Sequence, residues 1–207
     1  RKDLGLPESG FIFCCFNNTY KLTPETFDSW SRILKKAKDS ILLIYVDNEV
    51  AKKNLRKEIS NRGINSSRLF FGERLPESEY LARYRVADLF LDTQPYNAGT
   101  TASDALWMGL PVLTLCGNSF PSRMASSLLN ALKIPELITL NQNDYESLAI
   151  ELAIEPKKLK LIKDKLDNNI STAPLFDSQK FIKSLESVYC KMYDRRFNGL
   201  TPDHIYD

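Results

Sequence analysis

Short apolar runs alternate with helix-patterned segments along most of this chain, and few folds accept that rhythm. Phe11-Ile12-Phe13-Cys14-Cys15-Phe16 is apolar throughout, as a strand buried on both faces must be. Pro24 to Lys38 follows, with Phe27, Trp30, Ile33, Leu34 and Ala37 at helical spacing. Thr23 suits its N-cap and Pro24 its first position. Further strands are predicted at Ile41 to Val46, Arg68 to Phe71, Leu89 to Leu91, Pro111 to Leu115 and Glu136 to Thr139. Helices are predicted between them at Val50 to Arg62, stopped by Gly63, at Pro76 to Val86, at Thr101 to Met108 and at Phe120 to Leu132. From Asn141 to about Asn198 the pattern is helical, broken at Pro156 and Pro174. Strand, helix, strand in succession predicts an α/β fold: a doubly wound, Rossmann-like parallel sheet with helices on both faces. Residues 1–140 carry this unit, and residues 141–207 read as C-terminal helices packing on the same domain.

Composition removes several functions. With 207 residues and 43% hydrophobic content, the chain buries a core without a disulfide or metal staple. Lys plus Arg is 28 and Asp plus Glu 26, a net of +2 that argues against a nucleic-acid footprint. The single histidine, His204, leaves no basis for a zinc cluster or an internal Ser-His-Asp arrangement. Vicinal Cys14 and Cys15 in an apolar run suit the core of a reduced, cytoplasmic protein. No apolar stretch approaches the roughly 18 residues of a membrane span. The start, Arg1-Lys2-Asp3-Leu4, has neither a Met nor a signal-peptide core, so the chain is expected to begin inside a longer protein. Neither a glycine-rich dinucleotide fingerprint nor a P-loop occurs, and no D-x-D pair is present to hold a divalent metal. No metal and no cofactor are expected.

A doubly wound sheet binds ligands beyond the carboxyl ends of its strands, so the loops there carry the chemistry. Asn17-Asn18-Thr19-Tyr20-Lys21 follows the first strand. Lys21 either reaches into the cleft to neutralise a phosphate or is a solvated lysine beside an Asx-rich turn. Leu91-Asp92-Thr93-Gln94-Pro95-Tyr96-Asn97-Ala98-Gly99-Thr100-Thr101 runs from a strand through small residues into a helix. Gly99 lets the backbone approach a ligand, and Thr100 and Thr101 sit where free N–H groups and the positive helix end meet. Asp104, one turn on, is placed to accept bonds from ribose hydroxyls. The plainer reading is a Thr N-cap with Asp104 complementing the dipole. Leu75 to Tyr84 offers Tyr80 for stacking on a base and Arg83 for lining the same pocket, or else packing and a surface charge. Arg123 either faces the cleft or, the favoured reading, pairs with a carboxylate to fix its loop; Lys157 to Lys165 reads as the solvated face of an amphipathic helix, and Trp30, Trp107 and the phenylalanines as core.

In order and spacing these segments resemble the O-linked N-acetylglucosamine transferase family, which includes tetratricopeptide-repeat proteins and Spindly-type O-fucosyltransferases. The resemblance rests on Asn17-x-x-Tyr20-Lys21, then Leu91-Asp92-Thr93, Tyr96 to Thr101, Asp104-Ala105-Leu106-Trp107-x-Gly109-x-Pro111 and Ser122-Arg123. It implies the C-terminal half of a two-Rossmann, metal-independent B-type glycosyltransferase, the half that holds the nucleotide-sugar donor. It further implies that Lys21 contacts the donor diphosphate and is needed for activity. Thr100 and Thr101 would hold that diphosphate, Asp104 the ribose, and the stretch from Leu75 to Arg83 the base. The acceptor would be a Ser or Thr hydroxyl of a protein, recruited through regions outside this chain. Four positions depart from the animal enzyme: Asn18 replaces a Gln, Glu77 a Lys near the ribose, Tyr80 a His that stacks on uracil, and Gly99 a His. They leave UDP-N-acetylglucosamine, GDP-fucose and other UDP-sugars open. Two rival readings are a degenerate nucleotide- or protein-binding module without transfer, and a nucleotide-sugar epimerase of similar fold.

Overall fold

The apolar run that opens the chain becomes the innermost strand. In the computed structural model, which describes residues 1–206, β1 (Phe11–Cys15) lies between β2 (Ser40–Tyr45) and β4 (Leu89–Leu91). The residues Ile12, Phe13, Cys14 and Cys15 are 1% exposed or less. Each large apolar side chain buried this way contributes about 1.5–3 kcal/mol, so register is enforced from both faces. The remaining strands are β3 (Leu69–Gly72), β5 (Val112–Leu115) and β6 (Ile138–Thr139). All six form one parallel sheet in the order β3-β2-β1-β4-β5-β6.

That order places the helices. From β1 the chain moves outward through α1 (Pro24–Lys36) and α2 (Glu49–Asn61) to β3. It crosses back through α3 (Glu77–Arg83) to β4, then moves the opposite way through α4 (Thr100–Trp107) and α5 (Met124–Ala131). Right-handed crossovers put the two sets on opposite faces. The gap between β1 and β4, where direction reverses, is the topological switch point. Next, α6 (Gln142–Ile154) packs beside α1: Trp30 is fully buried and donates its indole N–H to the Tyr145 hydroxyl at 3.2 Å. Helix α7 (Pro156–Ile170) buries Leu159, Ile162 and Leu166, exposes Lys157, Lys160 and Lys165 and leaves Lys158 and Lys163 partly covered, as its sequence period requires. The last helix, α8 (Ser178–Phe197), buries no residue.

Caps follow the sequence. Thr23 accepts from the Thr26 N–H at 3.2 Å, and Gly63 takes φ +75° where α2 ends. Several boundaries moved for identifiable reasons. Pro135–Leu137 forms a 3₁₀ turn, so β6 keeps only two residues. Pro121–Arg123 likewise delays α5 to Met124, and Tyr84–Val86 closes α3 as a 3₁₀ turn. Not every large aromatic is core. Trp107 is 53% exposed at the end of α4, its ring tilted against that of Phe176 at 5.0 Å between centres. Phe120, Phe181 and Phe197 are also exposed, the first on a loop and the others on α8, none of whose described residues is fully buried.

Candidate active site

A buried carboxylate shapes the loop after β4. Asp92, 2% exposed, accepts from the N–H groups of Thr93 at 2.8 Å and Ala98 at 2.7 Å with one oxygen. Its other oxygen accepts from the Thr114 hydroxyl at 2.7 Å, tying the loop to β5. Burial pushes the Asp92 carboxyl up to about 7, although these three bonds and the Lys21 charge oppose the shift. The loop therefore turns on a fixed radius and delivers Gly99 to the start of α4.

A second set of bonds closes the switch point. Asn17, 2% exposed, donates to the Thr93 hydroxyl at 2.7 Å and accepts from the Thr101 hydroxyl. One amide thus joins the loop after β1, the loop after β4 and the first turn of α4. The Thr101 hydroxyl is spent on this joint. What the helix presents is its backbone: Gly99 occupies the N-cap with no side chain to cap the free N–H groups. A Cβ at Gly99 would meet only Met124 Cγ at 3.5 Å, and φ is −106°, so neither strain nor crowding requires glycine there. The glycine leaves the positive end of α4 open.

These groups face a cleft of about 500 Å³. Asn18 and Lys21 line it from the loop after β1, and Gly99, Thr100 and Thr101 from the start of α4. Leu75, Tyr80 and Arg83 line it from the segment after β3. The Lys21 ammonium donates to the Asn97 carbonyl at 3.0 Å and lies 4.2 Å from the centre of the Tyr96 ring. A second cavity, of about 770 Å³, shares Lys21, Gly99 and Thr100 with the first and adds Tyr96, Asn97 and Phe120. Those three shared residues form a wall between the two spaces.

The far end of the cleft is aromatic. Arg83 is 3% exposed, not a surface charge; its guanidinium sits 4.1 Å from the Phe16 ring centre and 5.4 Å from that of Tyr80. It also donates to the Glu73 carbonyl at 2.7 Å. Gly72 makes room for it, since a Cβ there would stand 2.8 Å from Arg83 Nη1. Tyr80 is half-buried, and its hydroxyl donates to Asp104 Oδ2 at 2.9 Å while pairing with the Tyr84 hydroxyl. Burial raises the Tyr80 phenol to about 12. Asp104 does not line the cleft: it sits behind Tyr80, with its carboxyl raised by burial, lowered by the Tyr80 bond and raised again by the charge of Glu77. Arg123 is exposed and, among the described residues, pairs with no carboxylate. Its loop is fixed instead by Ser122, whose Oγ accepts from the Ser119 N–H at 3.0 Å and donates to the Ser119 carbonyl at 2.9 Å. Asp92 and Asn17, which organise the whole site, stand in the motifs that carry the resemblance and at strand ends, but neither signal assigns them this structural role.

Comparison with known proteins settles the family. The model of glycosyl transferase family 41 matches residues 1–185. The chain belongs to glycosyl transferase family 41. It is 35% identical over 205 residues to a probable UDP-N-acetylglucosamine–peptide N-acetylglucosaminyltransferase (SEC) of Arabidopsis thaliana, a match covering 99% of this chain and 21% of that protein. The chain therefore spans about a fifth of that family 41 relative. A solved Lys-to-Met variant of the Thermobaculum terrenum O-GlcNAc transferase superposes with a TM-score of 0.84 at 31% identity, over 91% of this chain and 37% of that one. A putative UDP-N-acetylglucosamine 2-epimerase from Listeria monocytogenes, with a TM-score of 0.53 at 18% identity over 99% of this chain and 49% of that one, shares the fold alone. The sheet and helices are those of a B-type glycosyltransferase domain.

Proposed function

We propose that this chain holds the diphosphate of a nucleotide-sugar donor, UDP-N-acetylglucosamine by family kinship, for transfer of the sugar to Ser or Thr hydroxyls of proteins. One observation carries the reading: the Lys21 ammonium and the uncapped N-terminus of α4 open onto the same cleft. Both are positive, and both point where charge grows on a departing diphosphate. Together they do what a divalent cation does elsewhere, so the transfer is metal-independent in this proposal. Thr100 and Gly99 approach the phosphates through their backbones. The ribose and base lie toward Tyr80, Leu75 and Arg83, with Asn18 at the phosphate end. Asp104 reaches the ribose only when Tyr80 shares or yields its bond. Acceptor recognition, and any tetratricopeptide repeats, belong to regions the relatives have and this chain does not match. The four free thiols, two of them buried, suit a reducing cytoplasm. Among the described residues, no helix is long and apolar enough to cross a membrane.

A binding module without transfer is the second reading, favoured by Glu77, a carboxylate lining the donor cleft. The two readings separate in the intact enzyme, where transfer abolished by Lys21→Ala supports the first. For the site itself, calorimetry of the 207-residue chain with UDP and GDP decides. UDP is expected to bind, and Lys21→Ala to weaken it about tenfold or more with an unchanged circular dichroism spectrum, as loss of a charge-assisted phosphate contact requires. Equal affinity in the variant removes Lys21 from the site, and no binding of either nucleotide removes the site.

A further inference from the structure

We propose that Tyr96 is a positioning residue for Lys21, holding the ammonium at the wall between the two cavities by the face of its ring. The inference rests on the nucleotide reading of the cleft and assigns a role to a side chain that the proposed function leaves without one.

A lysine stem of four methylenes is costly to immobilise, and a phosphate contact pays that entropy unless the folded protein has already done so. Here two contacts hold the ammonium: the Asn97 carbonyl at 3.0 Å and the Tyr96 ring at 4.2 Å. Both come from the loop that Asp92 clamps, and both are anchored. The Asn97 side chain donates to the Thr93 carbonyl at 2.8 Å, and the Thr93 hydroxyl donates to the Tyr96 carbonyl at 2.6 Å. The Tyr96 ring itself is 50% exposed and buries no core surface that would explain its presence.

The choice of an aromatic matters. A carboxylate would hold Lys21 more tightly, but it would neutralise the charge and compete with the phosphate for it. A ring face attracts the cation through its quadrupole and leaves the net charge intact. It approaches from one side only, so with one N–H on the Asn97 carbonyl a third remains for a ligand in the cavities that Lys21 lines. Tyr96 and Asn97 thus fix where the charge sits without diminishing it.

The test has two readouts on the 207-residue chain. The first needs no ligand: in an NMR spectrum the Lys21 ε-methylene protons should be shifted upfield by the Tyr96 ring. That shift should vanish in Tyr96→Leu and survive in Tyr96→Phe. The second compares UDP with uridine, which lacks phosphates. Tyr96→Leu is expected to weaken UDP about two- to tenfold with uridine affinity unchanged, and Tyr96→Phe to restore it. An absent ring shift, or UDP affinity unchanged in Tyr96→Leu, overturns the proposal. Equal losses for UDP and uridine overturn it too, by showing that the loop rather than the ammonium was disturbed. A wild-type chain that shows the shift but binds no UDP overturns the nucleotide reading, and with it the purpose of the holder.

Discussion

Asp92 is the residue on which the site turns. Its carboxyl is raised to about 7, so between the ordinary carboxylate range and pH 7 the folded state keeps a proton that the unfolded state releases. Stability contributed at this position is therefore fully present below about pH 4 and declines as pH rises toward 7. Asp92→Asn removes the titration and can keep both N–H acceptances, with the Thr114 hydroxyl rotated to accept. The expected result is a stability difference that moves in the variant's favour by on the order of 1 kcal/mol per pH unit across that window, read from urea melts at several pH values. A pH-independent difference shows that Asp92 is ionised throughout. This role was not legible in the sequence, because a carboxylate at a strand end looks solvated until Thr114 on the neighbouring strand is known to face it. Lys21, Gly99, Thr100 and Thr101 were legible, since they follow strand ends and open a helix. The partnership of Tyr80 with Asp104 was not, since it joins residues 24 apart in the chain.

Elements were read more accurately than their ends. Continuous apolar runs and helical periods located every strand and most helices, because burial on two faces or one leaves a direct mark on residue order. What the pattern missed was set by proline and by neighbours: the short β6, the delayed α5, and the outward side of α4 that exposes Trp107. The two C-terminal helices show how differently similar patterns can be used. Helix α7 buries three apolar residues, whereas α8 buries none. Deleting residues 178–207 is accordingly expected to shift the melting temperature by no more than about 2–4 °C, the scale of 1 kcal/mol in a chain of this size. Ending the chain at residue 155 instead removes Leu159, Ile162 and Leu166 from the core and should abolish cooperative unfolding. A large loss from the shorter deletion means that α8 has a partner surface in solution.

At the scale of the molecule, the positive wall lies on one side of an open cleft. Transfer needs the acceptor oxygen held against the sugar, a gain that only two facing walls supply. The 207-residue chain is thus expected to release no sugar from UDP-N-acetylglucosamine, with or without acceptor peptide, in an assay for free UDP. Turnover by this chain alone shows that one wall suffices. The seam at the switch point has a consequence of another kind. Because Asn17 ties both flanking loops and the first turn of α4 together, the floor of the cleft is already joined before any ligand arrives. On the proposed function, arrival of a donor at this floor is governed by diffusion and charge, and any slower step falls to whatever meets this surface from the other side.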